Sequence, residues 1–183
     1  MLHEVSGSVD ASLFYDDDVV FFSNPFLAFA PTSADFRHQA EAGAGCSARP
    51  NGGLLFVRSS PQGVQLLRNM VARRAEIEAS GDKLDQDYVE GAALAAGVSR
   101  CALPKALFAG HCRRAQERSA QVGGLVTYHA HCCAVRTSKL ALVERIVEAR
   151  RETPTRTLHE VDQVPLPGFT ASSDQCFRAW YKG

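Results

Sequence analysis

At 183 residues the chain is long enough for one domain of ordinary size with a substantial core. Its 45% hydrophobic and 22% charged residues are those of a globular protein. Twenty basic residues balance twenty acidic ones, so charge gives no case for nucleic acid or an anionic membrane as partner.

Residues 1–10 are polar and lack the apolar stretch of a signal peptide or an anchor. No later run approaches the ~18 apolar residues of a spanning helix. Residues 11–22 read as a buried strand, an acidic turn (Asp16-Asp17-Asp18) and a short strand. Asn24-Pro25 breaks that pattern. Ala34 to Gln39 reads as a short strand, and Glu41 to Asn51, rich in Gly, Ala, Ser and Pro, as a loop. Gly52 to Arg58 reads as a buried strand, because its four apolar residues do not alternate with polar ones.

A helix follows. Ser60 is its N-cap and Pro61 its first residue. Val64, Leu67 and Val71 recur at helical spacing, beside Leu66, Met70 and Ile77, and Gly81 ends it. A second helix runs from near Asp85 to about Ala96, with Gly97 as its stop. Ser99 to Leu103 and Leu125 to His131 read as strands. Ser138 caps a third helix with Leu140, Val143 and Val147 on one face. From Glu152 the chain shows no clear period and reads as a tail that ends with Trp180-Tyr181. Strands alternate with helices, so the fold class is α/β.

The six cysteines are Cys46, Cys101, Cys112, Cys132, Cys133 and Cys176, with no CxxC pair. They read as mainly buried thiols, with one or two disulfides in a luminal setting. A zinc site is not expected from these spacings. His38, His111 and His159 belong to no constellation and read as structural or surface residues.

Five groups carry chemistry, each with a plainer alternative. Asp16 and Asp18 flank one residue and project to the same side of an extended chain. They are either a solvated acidic turn or a pair of hard oxygens for a divalent cation. Asn51-Gly52-Gly53 is either a turn or a close backbone approach to a ligand. Gln86 and Asp87 either complement a helix dipole or face a reacting centre. His129 and His131 share one strand face, as core or rim histidines or with a metal ligand among them. Lys139 is either a surface lysine or a phosphate contact near a helix N-terminus. Nothing nearby activates Cys132 or Cys133 as a nucleophile.

The order of these motifs is more specific than any one of them. Asp16-Asp17-Asp18-Val19-Val20-Phe21 is followed by Asn24-Pro25, then by Ala34-Asp35-Phe36. Asn51-Gly52-Gly53-Leu54-Leu55-Phe56-Val57-Arg58-Ser59 and Asp85-Gln86-Asp87 come next. Leu103-Pro104, Phe108-Ala109-Gly110, His129-Ala130-His131 and Lys139 complete the series. The series resembles the nucleotide-diphospho-sugar transferase family, which includes plant cell-wall xylosyl- and arabinosyltransferases. The resemblance covers roughly residues 11–150, with 1–10 as a lead-in and 151–183 as a C-terminal tail.

The resemblance implies a GT-A-like mixed sheet flanked by helices and a metal-dependent glycosyltransferase that retains the anomeric configuration. Manganese or magnesium would be held by Asp16, Asp18 and His129. Asp17, Asn51, Gly52, Gly53 and Lys139 would bind the nucleotide-sugar donor, and Gln86 and Asp87 would face the sugar. The acceptor would be a glycan or glycoprotein. The family setting is the Golgi lumen, whereas the chain as it stands, without a signal or anchor, reads as cytoplasmic. Two departures accompany the likeness. His131 stands where the family usually has asparagine. Only fifteen residues precede Asp16, so the base-binding strand–helix units are expected to be missing. The alternative is a truncated or degenerate relative that binds sugar or protein partners without catalysis.

Overall fold

The computed structural model describes residues 10–29, 33–80, 86–110, 118–131 and 136–162. The chain divides into two compact units, Met1–Asp16 with Pro31–Leu103, and Asp17–Ala30 with Pro104–Gly183. The class is α/β, as expected.

The first unit holds a four-stranded sheet in the order β1-β4-β3-β5. These strands are β1 (Ala11–Tyr15), β3 (Phe36–Ala42), β4 (Arg49–Arg58) and β5 (Arg100–Ala102). β4 is antiparallel to both β1 and β3, whereas β3 and β5 are parallel. Among the described residues, three helices belong to this unit: α2 (Pro61–Ala72), α3 (Arg74–Ser80) and α4 (Gln86–Ala96). Phe36, Val57, Leu66, Val89, Ala92 and Ala93 form its core. Burying each large member contributes about 1.5–3 kcal/mol.

Local chemistry explains these boundaries. Ser60 Oγ accepts the Gly63 N–H at 3.0 Å and Pro61 opens α2, as the sequence indicates. A Cβ at Gly63 would lie 2.0 Å from the Arg58 carbonyl oxygen, so only glycine lets α2 turn back this tightly on β4. Gly97, at φ 63°, ends α4 in the left-handed region.

Several expectations need correction. β1 is half-buried at best, with Phe14 and Tyr15 exposed, because it is an edge strand. β4 begins at Arg49, inside the stretch read as loop. Pro50 is tolerated there because the β3–β4 register shifts beside it. The first helix breaks at Arg73, and its buried face carries Gly63 and Leu66 while Val64 and Val71 are exposed. Cys46 is no buried thiol: it is exposed and forms a disulfide with Cys101.

The second unit holds a three-stranded sheet in the order β2-β7-β6. Its strands are β2 (Val19–Phe21), β6 (Phe108–Gly110) and β7 (Thr127–His129). β2 runs antiparallel to β7, and β6 parallel to it. Among the described residues its helices are α1 (Pro25–Phe29), α5 (Arg136–Glu152) and α6 (Leu158–Asp162). Asn24-Pro25 starts a helix rather than only breaking a strand, since Asn24 Oδ1 accepts the Phe26 N–H at 3.0 Å. Helix α5 starts at Arg136, two residues before the expected cap.

Its core contains Ala109, Val122, Leu125, Tyr128, Leu142, Ile146, Leu158 and Val161. The buried face of α5 is therefore Leu142 and Ile146, whereas Leu140 and Val147 are exposed. Leu158 and Val161 show that the segment after Glu152 begins as core. Arg150 ties α5 to the preceding loop, donating to the Val122 and Leu125 carbonyls at 2.8 and 2.9 Å. Gly81, Asp85, His111, Cys112, Cys132, Cys133, Cys176 and residues 163–183 lie outside the described residues.

Candidate metal and donor site

The acidic turn leads from β1 into β2, and these strands pair with different partners. β2 pairs with β7 in a register that sets Val19 opposite His129. The Ala130 N–H donates to the Asp18 carbonyl at 3.0 Å. This backbone pairing fixes the residue before β2 against the last residue of β7. Period-two alternation then keeps His129 and His131 on one side, with ring centroids 4.4 Å apart.

The side chains converge. His129 Nε2 lies 2.9 Å from Asp18 Oδ1, and Lys139 Nζ, near the start of α5, donates to Asp18 Oδ2. Asp18 is 9% exposed, His129 2% and Lys139 32%. Burial pushes the Asp18 carboxyl up. Side-chain interactions with His129 and Lys139, and then the charges of both, outweigh that effect and hold it far below the usual carboxylate range.

One detail bears on a metal. Asp18 Oδ1 is buried, yet among the described residues no hydrogen bond of acceptable direction reaches it, although His129 Nε2 is close. A carboxylate oxygen left without a donor beside an imidazole nitrogen fits a divalent cation, which takes both atom types as ligands.

Asp16 is exposed and follows β1 directly, and its N–H donates to the Gly53 carbonyl at 3.0 Å. Asp17 is exposed in the turn. Asn51 is buried in β4, where its Nδ2 donates to Glu41 Oε2 and its Oδ1 accepts the Gly53 N–H, both at 2.9 Å. Gly52 and Gly53 are strand residues, not a turn. Gln86 and Asp87 open α4, and their side chains lie outside what is described. Of the residues singled out from sequence, the second unit thus brings together Asp18, His129 and Lys139. Glu41 had no signal in the sequence as a partner for Asn51, because it falls in the stretch read as loop.

A sequence model of the nucleotide-diphospho-sugar transferase family matches residues 11–143. That is well over half of the chain, and the protein belongs to this family. No curated protein and no solved structure matches it. Among the described residues, no helix is long and apolar enough to cross a membrane.

Proposed function

We propose that this family member is a glycosyltransferase that moves a sugar from a nucleotide-sugar donor to a glycan or glycoprotein acceptor, with retention at the anomeric carbon. The reading rests chiefly on one observation: Asp18, His129 and Lys139, distant in sequence, meet at one buried carboxylate. Asp18 and His129 hold a divalent ion, manganese or magnesium. Asp16, two residues earlier in the chain, adds a second carboxylate, and each of the three offers one ligand atom. Such an ion, when bound, stabilises the negative charge that develops on the departing diphosphate.

Lys139 supplies a positive charge to the same group. Asp17, Asn51, Gly52 and Gly53 bind the donor. Gln86 and Asp87 support the positive charge that grows at the sugar carbon as its bond to phosphate lengthens. The Cys46–Cys101 disulfide favours an oxidising compartment, such as the Golgi lumen.

Calorimetry with manganese and a panel of nucleotide-sugars tests this function. Donor binding that needs the metal, disappears in Asp18→Ala and is accompanied by slow donor hydrolysis supports the transferase. Absence of metal and nucleotide binding from the full chain refutes it in favour of a non-catalytic relative.

A further inference from the structure

Arg37 lies in β3 between two neighbours, in register with Phe56 of β4 and Cys101 of β5. The residue is buried, at 9% exposure. A buried guanidinium has five N–H donors and normally faces a carboxylate, because an uncompensated buried charge is costly. Here Nη2 makes one long bond, 3.3 Å to the Ala102 carbonyl. The buried Nε reaches no acceptor among the described residues.

Two acids of the same unit are engaged elsewhere. Glu41, four residues along the same strand, accepts from Asn51 at 2.9 Å. Glu90, whose charge is felt by the adjacent His38, accepts from Arg100 at 3.0 Å. Burial lowers the Arg37 pKa. Native folds rarely leave such a group unanswered.

We propose that Arg37 is the anchor of an oxyanion subsite, taking a carboxylate or a phosphate group of a bound ligand through its Nε–Nη edge. A guanidinium suits this because its planar donors match two oxygens of such a group. The inference uses no residue of the candidate metal site.

Thermal unfolding of the full chain tests it, with sodium glucuronate, inorganic phosphate and glucose as probes at equal ionic strength. At least one anion should raise the melting temperature in proportion to its concentration, and glucose should not. An effect of glucuronate alone assigns the subsite to a sugar carboxylate; an effect of phosphate alone assigns it to a phosphate group. The shift should vanish in Arg37→Met and weaken at least fivefold in apparent affinity in Arg37→Lys. Without probes, Arg37→Met should melt at or above the wild type, because it removes an uncompensated charge. The proposal is overturned if neither anion shifts the wild type, if Arg37→Met keeps the shift, or if that variant melts well below the wild type. Manganese binding by Asp18→Asn is read separately, so either proposal can fail alone.

Discussion

Lys139→Met keeps most of the side-chain stem and removes the ammonium. The Asp18 carboxylate, 9% exposed, would then lose a charged donor. A hydrogen bond to a charged group contributes about 1.5–3 kcal/mol, and breaking a fully buried ion pair costs about 3–5 kcal/mol. Lys139 is 32% exposed, so water screens and replaces part of the interaction. We therefore expect a loss of about 2 kcal/mol, which lowers the Tm by roughly 4–8 °C for a chain of this size. The Asp18 pKa is depressed in the folded state. Its stabilisation is thus complete above the unfolded carboxylate value, about pH 4, and fades as pH falls through the lower folded value. The gap between wild type and Lys139→Met should be full at neutral pH and narrow in acid. Thermal unfolding by circular dichroism across pH measures it. Equal melting temperatures at pH 7, or a gap that widens in acid, would refute the reasoning.

Three stability tests address the scaffold, each by urea unfolding. Gly63→Ala should lose about 2 kcal/mol, since its Cβ would meet the Arg58 carbonyl at 2.0 Å and disturb the Ser60 cap, outweighing the helix propensity of alanine. Leu142→Ala should cost about 2–5 kcal/mol and Leu140→Ala under about 0.5 kcal/mol; similar values would contradict the buried face assigned to α5. Replacing Cys46 and Cys101 with alanine together should cost about 4 kcal/mol, from the 55-residue separation that the disulfide spans.

Local signals were legible where one residue decides the outcome. Ser60-Pro61 marks the start of α2, and Gly97 the end of α4. The runs around the acidic turn correctly indicate two strands. Which neighbours those strands take was not legible, because pairing depends on contacts distant in sequence: β1 joins β4 and β2 joins β7. Helix faces were misread for a related reason. Val64, Leu67 and Val71 share one helical stripe, but Val64 and Val71 are exposed, and it is Leu66 that is fully buried, with Leu67 and Met70 packed against the core. Leu142 and Ile146 likewise replace Leu140 and Val147. Pro50 argued against a strand, and only the irregular β3–β4 pairing makes room for it.

For the candidate site, residue types and order pointed to Asp18, His129 and Lys139. Their spacing could not specify that all three side chains meet. The pairing of β2 with β7 provides the link for His129, and the placement of α5 provides it for Lys139. Arg37 carried no motif; its significance comes from burial without a carboxylate partner among the described residues, a property that exists only in the folded chain.

The most direct measurement is a manganese titration followed by electron paramagnetic resonance, on the wild type, Asp18→Asn and His129→Gln. Asn preserves the shape of Asp18 and removes its charge, and circular dichroism establishes that each variant is folded. The proposed site predicts one saturable manganese site in the wild type, weakened more than tenfold in each folded variant. Equal manganese affinity in all three proteins, or none in the wild type, would contradict it.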